Sequence, residues 1–264
     1  MKIAVNAKEL IGDGACAFVP TMGALHAGHA SLIKKAREYS DTVVVSIFIN
    51  PLQFENKDDL AKYPRTPEFD IELASQAGAT HLWLPTVDEI YPGEVQKISA
   101  DALGDIYEGV KRPGHFDGVL TVVNRLFELV KPQWAIFGEK DFQQLTLIKS
   151  MKSDVEVIGA PTIRDTDGLA LSSRNVRLSD PKAALVIYRA LLAASKEKSI
   201  DSAREVMQGV LASEAAFTLD YAEIINESNF EKALQSDESK RAIIAGWVNG
   251  IRLIDNMPMN GGAQ

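Results

Sequence analysis

Residues 42–49, Thr-Val-Val-Val-Ser-Ile-Phe-Ile, constrain the fold of this 264-residue chain more than any other stretch. A near-continuous β-branched run suits a parallel strand covered on both faces, because a strand with one wet face would alternate polar and apolar residues. Parallel neighbours need helical crossovers, and the preceding segment supplies one. Ala17-Phe18-Val19 is a short apolar run ending at Pro20, and a helical pattern then runs through Ser31, Leu32, Ile33, Ala36 and Tyr39 to end near Ser40. Strand, helix, strand at this spacing is a βαβ unit.

The same texture continues. A helix is expected over 68–76, a strand over 81–84, a short helix around 102–108 in an otherwise looped stretch, and a helix over 120–130. Strand 134–137, helix 143–150 and strand 155–158 complete the series, and a Gly12-Asp13-Gly14 turn precedes it. Residues 1–162 therefore read as a doubly wound, Rossmann-like α/β domain with a parallel sheet. After Thr162 the pattern changes to helices at 181–195 and 201–214, strand 220–225, a helix at 230–234, and strands 241–244 and 251–254 about Asn249-Gly250. Residues 163–264 read as a smaller α+β domain whose tail frays from Pro258.

Composition narrows the class of partner. A formal charge of −8 favours solubility and argues against nucleic acid, whose binders carry a basic face. One cysteine permits no intramolecular disulfide. The first residues lack the sustained apolar core of a signal peptide, and no run approaches membrane-spanning length. The expectation is a cytoplasmic protein without a membrane partner.

The chemistry concentrates in the turn after the first strand. Residues 19–32, VPTMGALHAGHASL, place Gly23 and Gly28 and two of the chain's four histidines where strand gives way to helix. Free N–H groups of a first helical turn attract anions, and glycine lets a large ligand approach the backbone. Imidazoles there can donate to phosphate oxygens or carry a proton near neutrality. The i,i+3 spacing of His26 and His29 also suits zinc, but zinc needs a third ligand and the sequence offers no partner cluster. A helix cap flanked by surface histidines is the bland alternative, against which the apolar Met22, Ala24 and Leu25 argue.

PTMGALHAGH at 20–29 resembles the signature of the pantoate–β-alanine ligase (pantothenate synthetase) family, within the nucleotidyltransferase superfamily marked by His-x-Gly-His. Further blocks follow in the family's order: 46–54 (SIFINPLQF), 59–66 (DLAKYPRT), Glu108 with 112–119 (RPGHFDGV), 137–144 (FGEKDFQQ) and 163–175 (IRDTDGLALSSRN), with 252–256 at the end. The chain departs from the usual pattern at Glu55, where glycine is common, and at Asp58 and Asp165, where glutamate is common.

The resemblance implies an ATP site formed by Met22, Gly23, Ala24, Leu25, His26, Ala27, Gly28 and His29. Gly138, Glu139, Lys140, Asp141, Ile163, Leu171, Ser172, Ser173 and Arg174 complete it. His26, His29, Lys140 and Arg174 are the expected catalytic groups, and Asn50, Gln53 and Gln144 the expected pantoate contacts. Asp141 is also placed to cap the helix it opens. The 108–119 block reads as a flexible wall turning at Pro113-Gly114, and 252–256 as packing. On the same resemblance residues 1–162 bind ATP and pantoate, while 163–264 close over the active site. Magnesium is the implied cofactor, without assigned protein ligands, and a homodimer the implied assembly.

The implied chemistry has two steps. Pantoate carboxylate attacks the α-phosphorus of ATP to give pantoyl adenylate and pyrophosphate, and the β-alanine amine then displaces AMP to give pantothenate. No covalent enzyme nucleophile is required, in keeping with a lone Cys16 outside the motifs. The rival is an adenylyltransferase acting on a phosphorylated substrate, against which the paired amides of Gln53 and Gln144 argue, since a phosphate acceptor favours more cations. A nucleotide-binding protein without turnover is the non-enzymatic alternative.

Overall fold

Six parallel strands form the first sheet: β1 (Lys2–Ala4), β2 (Ala17–Thr21), β3 (Val43–Ile47), β4 (His81–Trp83), β5 (Trp134–Gly138) and β6 (Glu156–Ala160), in the order β1-β4-β3-β2-β5-β6. This computed structural model describes residues 1–10, 15–54, 60, 61 and 63–259. The Gly12–Gly14 turn, the departures at Glu55 and Asp58, and the tail beyond Met259 lie outside the described residues.

The connections are helical: α1 (Ala27–Arg37), α2 (Pro67–Ala77), α3 (His115–Val130) and α4 (Phe142–Lys149). Alternation along the strands sorts their side chains to two covers. Val19, Val43, Val45 and Leu82 pack with Ile33 and Ala36 of α1 and Ala74 of α2. Phe18, Val44 and Trp83 pack on the other side with Phe116, Val119 and Leu126 of α3 and Leu145 of α4. Both faces are thus buried, which is why residues 43–45 are apolar without alternation.

Helix α3 starts five residues before the expected Leu120. Asp117 and Gly118 look like loop residues, but Gly114 at φ 73 turns the chain into the helix, and the buried stripe already includes Phe116 and Val119. Gly118 has a packing reason to be glycine: a Cβ there would run into the carbonyl of Leu52.

The chain divides into two compact units, Met1–Thr162 and Ile163–Gln264. The second holds α5 (Pro181–Ala194), α6 (Ile200–Ala212) and an antiparallel sheet of β7 (Phe217–Asn226), β8 (Lys240–Val248) and β9 (Ile251–Pro258), in that order. Ala184 and Leu191 of α5 and Met207 of α6 pack on Ile224 and Ile244 in one core. Asn249 and Gly250 both have positive φ, 49 and 78, the two-residue hairpin geometry that suits twisted strands.

Two expectations fail in this unit. Residues 230–234 are not helical: Phe230 sits at φ 61 with its ring buried, and Ile225 bridges Lys232 instead. Burial of that ring in a left-handed turn overrides the local helical pattern. Nor does the chain fray at Pro258, since β9 includes it and the N–H of Met259 donates to Lys240 O at 2.7 Å.

Candidate active site

Three neighbouring strands, β3, β2 and β5, deliver three turns side by side at their carboxyl ends. The turn after β2 carries residues 22–29, that after β3 carries Asn50 and Gln53, and that after β5 carries Gly138 to Asp141. The chain passes from β2 to β3 on one side, while β5 lies on the other. Open parallel sheets form ligand crevices at such reversals.

His26 is the N-cap of α1, and its ring Nδ1 accepts the N–H of Gly28 at 3.1 Å. Reciprocally, the N–H of His26 donates to Nδ1 of His29 at 3.2 Å. The rings stand 4.1 Å apart between centroids. Both Nδ1 atoms are acceptors, so each neutral ring carries its proton on Nε2. Burial, then the neighbouring Lys140 charge, pushes His26 down to about 4; burial and then the His26 ring push His29 down to about 3. At neutral pH the turn therefore offers two uncharged Nε2–H donors.

Asp70 shapes the turn from below, and nothing in the sequence singled it out. It lies in the first turns of α2, 2% exposed, where Oδ2 accepts Ala24 N–H at 3.0 Å and Oδ1 accepts Leu25 N–H at 2.7 Å and the Thr66 hydroxyl at 3.0 Å. These bonds hold a backbone with Gly23 at φ 80 and Ala24 at φ 49. A side chain at Gly23 would meet Asp70 Oδ2 at 3.0 Å. An alanine in the left-handed region is strained, and the carboxylate keeps it there.

Lys140 is half-buried, its charge helps to push both imidazoles down, and its Nζ is 3.9 Å from Asp141 Oδ2. Asp141 occupies the cap position of α4, but its side chain makes no capping hydrogen bond, contrary to expectation. Gln144 follows, half-buried on α4, whereas its neighbour Gln143 is buried and bonds the backbone at Leu103, Ile106 and Glu108.

Asn50 is 1% exposed and its amide is fully engaged. Nδ2 donates to Gly118 O at 3.0 Å and Gln53 Oε1 at 3.2 Å, while Oδ1 accepts the Tyr91 hydroxyl at 2.7 Å and Leu52 N–H at 3.2 Å. Gln53 Nε2 donates to the thioether of Met22 at 2.9 Å. The Gln53 carbonyl accepts from His115 Nδ1 at 3.0 Å and Arg112 at 3.3 Å, and Arg112 also donates to His115 Nε2 at 2.9 Å. The wall block thus begins a helix whose first residue clamps Gln53. Burial, then Arg112, pushes His115 down to about 4.

In the second unit, Ile163 and Leu171 pair across a hairpin that leads directly into the turn of Ser172, Ser173 and Arg174. Leu171 N–H donates to Ile163 O at 2.9 Å, and Ser172 Oγ accepts Arg174 N–H at 3.2 Å. Arg164 anchors the hairpin: its guanidinium grips buried Asp255 at 2.5 and 3.0 Å and lies over the Tyr188 ring at 4.8 Å. That ion pair gives the 252–256 block its packing role. Among the described residues no group of three or more His, Cys, Asp or Glu is arranged to hold a metal, and no helix is long and apolar enough to cross a membrane.

The profile of the pantoate-beta-alanine ligase family matches residues 2–258. The chain belongs to this family. It is 47% identical over 265 residues to the pantothenate synthetase of Acidothermus cellulolyticus, covering 93% of this chain and 86% of that one. The crystal structure of pantothenate synthetase from Thermus thermophilus superposes with a TM-score of 0.93 at 41% identity, over 98% of this chain and 99% of that one. The pantoate-beta-alanine ligase of Francisella tularensis, solved with beta-gamma ATP and beta-alanine, superposes at 0.81 with 36% identity over 99% of each chain.

Proposed function

We propose that this chain joins the carboxylate of pantoate to the amine of β-alanine at the expense of ATP, through a pantoyl adenylate, releasing AMP and pyrophosphate. The observation that carries the reading is the pair of neutral imidazoles, both presenting Nε2–H, beside Lys140 on the adjoining strand end. ATP lies along residues 22–29 and 138–141. Lys140 offsets charge on the departing pyrophosphate, and His26 and His29 donate to phosphate oxygens as charge builds. Neither histidine is the base, because each Nδ1 is committed to a backbone N–H. The attacking carboxylate is ionised at neutral pH and needs none.

Gln53 and Gln144 hold pantoate in line with the α-phosphorus, the positioning that such a transfer mainly requires. Residues 163–264 close over the triphosphate, bringing Ser172, Ser173 and Arg174 to it. Magnesium is the ion that goes with the family reading, and bound with ATP it would help offset the charge of the triphosphate. A homodimer in the cytoplasm goes with the family reading.

Product analysis tests this directly. The purified chain with ATP, magnesium, pantoate and β-alanine should yield pantothenate, AMP and pyrophosphate, and His29→Ala or Lys140→Ala should slow it by ~10²–10³-fold. ADP and phosphate as products would replace the mechanism with an acyl-phosphate ligase, and a folded variant at full speed would remove that residue's role.

A further inference from the structure

We propose that Tyr91 is a positioning residue for pantoate recognition: through Asn50 it fixes the side-chain amide of Gln53 as a hydrogen-bond donor toward the substrate. The proposal rests on the reading that Gln53 contacts pantoate, and it changes the part Asn50 plays there.

An amide has two hydrogens and two acceptor lone pairs. All four of Asn50's are used, by Gly118 O, Gln53 Oε1, the Tyr91 hydroxyl and Leu52 N–H. At 1% exposure it also has no surface to offer. Asn50 therefore acts behind the site and not in it. The direction of its bonds matters. Leu52 and Tyr91 both donate to Oδ1, which turns Nδ2 toward Gln53 and makes Oε1 of Gln53 the accepting end. The opposite end of Gln53, Nε2, is left facing Met22, whose thioether is a weak acceptor. A carboxylate or hydroxyl oxygen displaces sulfur from that donor.

Tyr91 is well placed to set this polarity. Its hydroxyl reaches Asn50 at 2.7 Å, the shortest of the four bonds, and its ring packs edge-on to Phe48 at 6.2 Å between centroids. Burial pushes the phenol's ionisation upward, so it remains a donor throughout the working pH range. Donation to the amide oxygen strengthens the same amide's N–H as a donor, so the three groups act as a chain. The backbone of Gln53 is already clamped by His115 and Arg112. With backbone and Oε1 both fixed, the planar amide holds Nε2–H as the donor that meets the substrate.

Tyr91→Phe keeps the ring and removes the donor. It should raise KM for pantoate about tenfold, the worth of a buried hydrogen bond, while KM for ATP stays within about twofold. Gln53→Ala should raise KM for pantoate further, and adding Tyr91→Phe to Gln53→Ala should change it no more, because the tyrosine acts through the missing amide. A merely structural tyrosine would lower thermal stability and move both KM values or kcat together, and would add to Gln53→Ala. If Gln53→Ala leaves pantoate affinity intact, the site reading fails. If Gln53→Ala weakens pantoate and Tyr91→Phe does not, this inference fails while the site reading stands. Should Tyr91→Phe not fold, hydrogen exchange of the Asn50 side-chain NH₂ in the wild-type protein decides: slow exchange of both protons supports the chain, and fast exchange overturns it.

Discussion

The backbone N–H of His26 donates to Nδ1 of His29 at 3.2 Å, while Nδ1 of His26 accepts from Gly28 at 3.1 Å. Two rings that look like acid–base groups are thereby made caps on one side and donors on the other. His115 is wired the opposite way: its Nδ1 donates to Gln53 O and its Nε2 accepts from Arg112. Long-range ¹H–¹⁵N spectra of the imidazoles should show Nε2–H tautomers for His26 and His29 and the Nδ1–H tautomer for His115. An Nδ1–H signal from His29 would contradict the assignment of a donor role.

Acid should unfold the protein through these rings. His26 and His115 are held down to about 4 and His29 to about 3, against roughly 6.5 for the unfolded chain. Between those values the unfolded state binds more protons, so stability rises with pH. The contribution is complete above pH 6.5, is lost progressively as pH falls below that, and is gone once pH has passed 4 for His26 and His115 and 3 for His29. Urea midpoints should drop across this window, and His26→Gln should flatten part of the slope. A flat profile from pH 7 to 4 would contradict neutral, buried rings.

Asp70 should matter to both stability and ATP. Asp70→Asn keeps one acceptor but turns an NH₂ toward the N–H of Ala24 or Leu25, leaving donor against donor in a buried place. The expected cost is ~2–4 kcal/mol of stability, together with a raised KM for ATP as Ala24 relaxes from its left-handed backbone. Denaturant unfolding and steady-state kinetics read the two effects separately. An unchanged midpoint and KM would show that the turn holds its own shape.

The strands and helices of Met1–Thr162 were legible because burial on both sheet faces writes itself as apolar runs such as 43–45. The turn at 22–29 was legible because two of the chain's four histidines stand beside Gly23 and Gly28 there. Asp70 was not: alternating with Glu68 and Glu72 in α2, it reads as one more solvated carboxylate, and only its burial under the turn distinguishes it. Tyr91 likewise follows a helical turn in a proline-containing loop, and its partner lies 41 residues away. The failed helix at 230–234 and the late start given to α3 share one cause. Local propensity carries no information about a ring or stripe that tertiary contacts bury.

The central claim is that pantoate is activated before β-alanine takes part, and isotope exchange tests it most directly. With pantoate, magnesium and ATP but no β-alanine, labelled pyrophosphate should enter ATP at a rate comparable with turnover, because adenylate formation is reversible. Adding β-alanine should drain the label's partner into pantothenate and AMP. Exchange that requires β-alanine would contradict the two-step order.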